Sequence, residues 1–214
     1  MLTAAKRLHH QRKKADTMEL VLIRHGLPEK TINEDGTPAN PPLSQQGHDQ
    51  ARRMAAWLKD EQIDRLYSSP MQRAYQTAAP LAQQMGLGIE VCEGVAEYDQ
   101  QAQHYIPVEE LKVLDYERWL RLMKGDVDSV DFTGFSKTVC QSLNELINDN
   151  AGKRVAVTCH GGVINAWAAH VMGFEPRLFF NPNYTSINRF MASSRGDKTV
   201  VTLNEHVHIL RDLA

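Results

Sequence analysis

The chain has 214 residues, 42% of them apolar and 23% charged, a balance that excludes fibrous, collagen-like and disordered readings. Folding a chain of this length withdraws roughly 70% of its extended surface from water, so a core needs neither metal nor disulfide to hold it. The 24 Lys and Arg against 26 Asp and Glu leave a net charge of −2, which argues against nucleic-acid binding through a general basic field and confines any anion site to a local cluster.

Residues 1–17 carry Lys6, Arg7, His9, His10, Arg12, Lys13 and Lys14 without an apolar middle, so they read as a flexible basic tail and not as a secretory signal. No apolar run nears the roughly 20 residues of a membrane-spanning helix. Cys92, Cys140 and Cys159 are odd in number and far apart, and form neither a disulfide framework nor a ligand cluster. A cytoplasmic location is expected, with no membrane and no nucleic-acid partner. Residues 18–214 read as a single domain.

Met18 to Ile23 predicts a buried parallel strand that stops at Arg24, His25 and Gly26. Residues 31–43 read as a loop, and Ser44 as the N-cap of a helix whose apolar stripe is Ala51, Met54, Ala55 and Leu58. Leu66 and Tyr67 end a second strand. Ser69 as N-cap and Pro70 at the first helical position then announce a helix that carries Arg73 in its first turn and is kinked or shortened at Pro80.

Ile89 to Val95 reads as a strand, and Glu97 to Tyr105 as a loop without regular period. Helices are predicted over 107–123 and 135–148, joined by a connection rich in Gly and Asp. Arg154 to Thr158 repeats the buried-strand pattern, breaks at Cys159, His160, Gly161 and Gly162, and is followed by a helix from Val163 to Val171. Two strands, 185–192 and 199–204, close the chain; His206 and His208 then alternate on one strand face, too few for a metal site without a third ligand. Strands alternating with helices predict an α/β fold, a three-layer α/β/α sandwich around a mainly parallel sheet, with ligands beyond the carboxyl ends of its strands.

Arg24 and His25 at one strand end, Arg73 in a first helical turn and His160 before another helix would converge there as an anion trap. Guanidinium forks match phosphate oxygens, and the helix beginning near Gly161 adds free N–H groups and partial positive charge. An imidazole among cations stays neutral, so His25 is the candidate nucleophile toward phosphorus. Arg24, Arg73 and His160 would stabilise the charge of the transferred group. Glu97, in a loop after a strand, is the candidate acid for the leaving oxygen, with Glu93 and Asp99 close enough to compete. Other phosphatase chemistries fit less well. No cysteine has an arginine six positions on, and the pair Asp126 and Asp128 lacks a preceding apolar strand and has Val130 where an aspartate-dependent phosphatase would want threonine. No Gly-rich phosphate loop ends in Lys-Ser or Lys-Thr.

These residues lie in segments that resemble the histidine phosphatase superfamily, also called the phosphoglycerate mutase-like family. Leu22 to Gly26 is similar to its opening motif, Pro42 to Gly47 to its second, Ser68 to Ala78 to its third and Cys159 to Gly162 to its fourth. Asn183, Leu203, Asn204 and His208 resemble its closing hairpin. The resemblance implies a metal-independent and cofactor-free phosphatase of the histidine acid phosphatase type, with His25 the phosphorylated nucleophile, Arg24, Arg73 and His160 the phosphate pocket, and Glu97 the proton donor. The substrate would be a phosphorylated small molecule. Residues 98–134 would be the insertion over the active site. Leu27 and Pro28 follow Gly26, and the asparagine many members carry nearby is missing, which leaves Asn33 as the nearest substitute for a substrate-binding role. Tyr98, Asp99 and Gln100 replace the arginine-containing run of true mutases, which counts against the alternative of phosphoglycerate mutase activity. A catalytically idle member that binds a phosphorylated ligand is the other alternative.

Overall fold

The computed structural model describes residues 17–127 and 130–210. All of the basic tail but Thr17, and Asp128, lie outside the described residues. In chain order the elements are β1 (Thr17–Arg24), β2 (Thr31–Ile32), α1 (Gln45–Trp57), β3 (Arg65–Ser68), α2 (Gln72–Met85), β4 (Ile89–Val91), a 3-10 turn (Glu93–Val95), β5 (His104–Tyr105), α3 (Val108–Leu114) and α4 (Tyr116–Met123). Then follow α5 (Phe132–Asp149), β6 (Arg154–Cys159), α6 (Gly161–Met172), β7 (Ile187–Ser193), β8 (Lys198–Glu205) and the short α7 (Val207–Leu210).

Six strands form one sheet in the order β4-β3-β6-β1-β7-β8. β4, β3, β6 and β1 run parallel, while β7 and β8 add an antiparallel edge. β1 and β6 are central and buried on both faces, which is why each is a near-continuous apolar run. Leu20 and Leu22 of β1 and Val155 and Val157 of β6 pack on one face with Val139, Leu143 and Trp167 from α5 and α6. Val21 and Ile23 pack on the other with Met54, Leu58 and Leu81 from α1 and α2. Helices on both faces of a mainly parallel sheet make the expected three-layer sandwich. In register, Arg24 at the end of β1 pairs with Cys159 at the end of β6, so His25 and His160 leave adjacent strands at the same edge.

The loop after β1 is locked to α1. Ser44 caps α1 by accepting from the Gly47 N–H, and its own N–H and hydroxyl both donate to the Leu27 carbonyl at 2.9 Å. A Cβ on Gly47 would stand 2.1 Å from the Leu27 oxygen, and one on Gly26 2.6 Å from the Gly47 oxygen. Only glycines permit this approach of two backbones.

Several elements differ from expectation. α2 begins at Gln72 with Met71 as N-cap; the Ser69 hydroxyl instead accepts from the Met71 N–H in a tight turn ahead of the helix. The helix also continues past Pro80 to Met85, because Ala78, Leu81 and Ala82 are buried against the sheet and offset the one lost backbone bond. The strand expected over 89–95 stops at Val91 and gives way to the 3-10 turn. The helix expected over 107–123 breaks at Asp115, which ends α3 and caps α4 by accepting from the Arg118 N–H. Two segments read as loops contribute β2 and β5, which pair through Thr31 with Tyr105 and Ile32 with His104. His208 lies on α7 and not on a strand face with His206.

Candidate active site

The carboxyl ends of β1 and β6 deliver Arg24, His25 and His160, all at most 6% exposed. α2 brings Arg73 from the other side of the sheet, and the 3-10 turn after β4 leads into Glu97. His160 is the N-cap of α6. The rings of His25 and His160 are 5.1 Å apart between centroids, so histidines 135 positions apart in sequence are neighbours, as the topology predicts.

Hydrogen bonds settle the state of His25. Its Nδ1 lies 2.7 Å from the Gly26 carbonyl, which can only accept, so Nδ1 carries the hydrogen. Nε2 is then the lone-pair nitrogen, and it accepts from Arg73 Nε at 3.3 Å. Burial, then Arg73 and Arg24, hold the His25 pKa well below its ordinary value. His160 is also held low, by burial first and then by Arg73, His25 and Arg24. Its Nε2 lies 2.7 Å from the Ser69 hydroxyl.

Arg24 donates to the Pro182 carbonyl and, at 3.3 Å, to Asn181 Oδ1, while its guanidinium lies 4.2 Å over the ring of Tyr184. Arg73 pairs with Asp99 at 3.2 Å and lies 4.7 Å over the ring of Tyr105. Even so, Arg24 Nε, Arg73 Nη1 and His160 Nδ1 are buried with no hydrogen-bond partner among the described residues. Leaving such groups unpaired costs about 1–3 kcal/mol each, more for charged ones. Three orphaned nitrogens in one cluster, two of them on guanidiniums, are matched by an oxyanion.

Glu97 is 7% exposed. Its two oxygens accept from the Gly162 N–H at 2.8 Å and the Tyr98 N–H at 3.1 Å. Those bonds favour the carboxylate, but burial and then the nearby Asp99 outweigh them and push the pKa up to about 7. Of the competitors, Asp99 lines the same cavity but is committed to Arg73, and Glu93 is exposed and outside it.

A cavity of about 380 Å³ opens here, lined by Arg24, His25, Arg73, Glu97 and Gly161 together with residues of the segment 98–130. His160 is fully buried and does not itself line it. Asn33 stands apart. It is half-buried, its side chain donates to Thr37 and Pro38 within its own loop, and it is not part of the cavity wall. A position chosen as the nearest asparagine in sequence therefore falls in a different place. Sequence reasoning missed Tyr184, Tyr105, Asn181 and Pro182, which cover or fix the two guanidiniums. His206 and His208 acquire no third ligand: no group of three His, Cys, Asp or Glu among the described residues is arranged to hold a metal. No helix among them is long and apolar enough to cross a membrane.

The sequence model of the histidine phosphatase superfamily (branch 1) matches residues 20–206. Phosphoserine phosphatase 1 of Hydrogenobacter thermophilus is 30% identical over 174 residues, which are 77% of this chain and 81% of that protein. Phosphoglycerate mutase-like protein 4 of Arabidopsis thaliana is 28% identical over 71% of this chain and 70% of its own length. The phosphoserine phosphatase of Entamoeba histolytica, solved in complex with 3-phosphoglyceric acid, superposes with a TM-score of 0.70 at 25% identity and covers 90% of this chain and 100% of that one.

Proposed function

The chain belongs to the histidine phosphatase superfamily and is a phosphatase; on that premise we propose that it is a metal-independent phosphomonoesterase that acts on a phosphorylated small molecule through a phosphohistidine at His25. The observation that carries this reading is the unprotonated Nε2 of His25 set beside orphaned guanidinium nitrogens.

The substrate phosphate takes the place beside Arg24 Nε and Arg73 Nη1, and its negative charge answers both. Ser69, already accepting from Met71, donates its hydrogen to His160 Nε2, which leaves the ring proton of His160 on the unpartnered Nδ1. Arg73 turns from the His25 lone pair to the phosphate. His25 Nε2 forms a bond to phosphorus as the bond to the leaving oxygen breaks, and the protonated Glu97 carboxyl gives its proton to that oxygen. The alcohol departs. Glu97, now a carboxylate, takes a proton from water as the water oxygen attacks phosphorus, which releases phosphate and restores His25 and the carboxylic acid. Arg24, fixed by the Tyr184 ring and the Pro182 carbonyl, needs little reorganisation as charge shifts onto the equatorial oxygens. The attacking nitrogen, the anion cradle and the acid are all protein groups, which leaves no step that requires a metal.

Single-turnover reaction with a radiolabelled phosphomonoester, quenched with base, should trap a phosphoenzyme that is stable to alkali and labile to acid. His25→Ala should abolish both the label and turnover. Full hydrolysis by that variant would overturn the reading. Supplying 3-phosphoglycerate in the same assay separates release of phosphate from isomerisation, and release alone is expected.

A further inference from the structure

The groups assigned to the chemistry lie where the cavity meets the sheet, and its outer part combines a few charged side chains with an apolar wall. Farther out its wall is made by Leu111, Leu122, Met123 and Val127 from the insertion and by Leu178 and Phe180 from the segment after α6. This apolar wall is built, not incidental. Asn165, 1% exposed on α6, accepts from the N–H groups of Phe179 at 2.8 Å and Phe180 at 3.2 Å and donates to the Phe180 carbonyl at 3.0 Å. The Phe180 backbone is thereby tied to the helix that starts at the catalytic cluster. Leu111 is 6% exposed and anchors α3 under the other side. A volume of about 380 Å³ lies in the range that encloses a whole drug-sized ligand, roughly 300–1,000 Å³. A three-carbon polar phosphoester would leave much of that apolar wall facing water. Charge points the same way. Beyond Arg24 and Arg73 the lining has Arg118 and His104 as further basic groups, offset by Asp99 and Asp126, so the outer pocket offers no net positive charge for a second phosphate.

Resting on the phosphatase reading above, we infer that the preferred substrates are monophosphate esters of alcohols with an apolar body at least the size of an aromatic ring, seated among Leu122, Met123 and Phe180. Polar three-carbon phosphates and bisphosphates are poor substrates.

The test compares 2-phenylethyl phosphate with ethyl phosphate, two alkyl esters that differ chiefly by a ring. Burial of the ring should raise kcat/KM by about tenfold or more. Leu122→Asn should shrink that ratio, and Phe180→Ala, which leaves no buried polar group behind, serves as the second variant where the first fails to fold. Binding of 2-phenylethylphosphonate against ethylphosphonate by calorimetry should show the same preference without any turnover. A ratio near one in both measurements, or a preference for phosphoserine or 3-phosphoglycerate over the phenylethyl ester, would overturn the inference and leave the phosphatase reading standing. Absence of hydrolysis of every ester, with the phosphonate preference intact, would overturn the reading of the chemistry and leave the pocket assignment standing.

Discussion

Arg73 Nε donates to His25 Nε2 at 3.3 Å, so the guanidinium proposed to receive the phosphate also covers the lone pair of the proposed nucleophile. The contact holds the imidazole in one orientation, and burial first, then Arg73 and Arg24, hold its pKa well below the ordinary value. Arg73 is 1% exposed and its Nη2 is tied to Asp99, which fixes the fork without using Nη1.

Arg73→Lys keeps the charge but loses the fork, since an ammonium is a point charge and cannot address His25, Asp99 and phosphate together. The expected result is a fall in kcat/KM of about 10²-fold or more, the scale of removing one preorganised donor. Steady-state kinetics beside a thermal melt check it. A folded variant with nearly normal kcat/KM would remove Arg73 from the stabilisation of the reacting group.

Glu97 sets a pH dependence. With its pKa pushed up to about 7, first by burial and then by Asp99, it keeps its proton at mildly acid pH and loses it as pH rises through neutrality. Single-turnover phosphoryl transfer from an alkyl phosphate should fall along that limb. The His25 pKa lies below the ordinary histidine range, so the acid limb belongs to the second ionisation of the substrate phosphate, near pH 6. Glu97→Gln should erase the limb near 7 and slow transfer by about 10²–10⁴-fold. Esters of acidic phenols, whose leaving oxygens need no proton, should be slowed far less. A limb that survives in the variant would hand the acid role to Asp99, which lines the same cavity.

Gly162 offers an independent handle on the same carboxyl. A Cβ there would lie 2.2 Å from Glu97 Oε1 and 2.7 Å from Tyr98 Cδ1, so Gly162→Ala must displace Glu97. A displacement of about 1 Å can cost about 10²-fold in rate. The loss should fall on alkyl phosphates much more than on aryl phosphates, while inorganic phosphate inhibits both proteins alike. Equal losses on both ester types would mean that the anion cradle itself had moved.

Arg24, His25 and His160 are legible because each sits where an apolar run stops, and Arg73 because it follows a helix-start signal; a parallel sheet gathers such ends at one edge. Glu97 is legible only as one of three acids, since the choice depends on burial, which spacing does not reveal. Tyr184 and Tyr105 were not legible: one reaches its guanidinium from a turn and the other from the short β5, and both paths are set by tertiary contacts. The break at Asp115 did have a local signal, because aspartate is a strong N-cap. The run through Pro80 overrides a local signal, as packing of Leu81 against the sheet outweighs one missing donor.

His208 and Thr185 control how Tyr184 is presented to Arg24. Thr185 has φ 55, a left-handed conformation that is unusual for a branched side chain and costs about 1–3 kcal/mol. Its hydroxyl donates to the Tyr184 carbonyl at 2.7 Å and must therefore accept from His208 Nε2 at 3.0 Å, while its N–H donates to the His25 carbonyl at 3.3 Å. Thr185→Val keeps the shape and the strain but orphans the buried His208 donor, and should lower unfolding stability by about 1–3 kcal/mol. Thr185→Gly also loses the hydroxyl but relieves the strain, so its denaturant midpoint should lie above that of the valine variant. The His208 pKa is depressed to about 4, by burial first and then by His206. Its contribution to stability is therefore complete above the ordinary histidine value and is lost as pH falls from about 6.5 through 4. His208→Gln should flatten part of the decline in stability over that window, His25 and His160 supplying the rest. Should the valine variant match the unaltered protein in stability, the hydroxyl would not be what holds this turn, and the link from His208 to the His25 carbonyl would be broken.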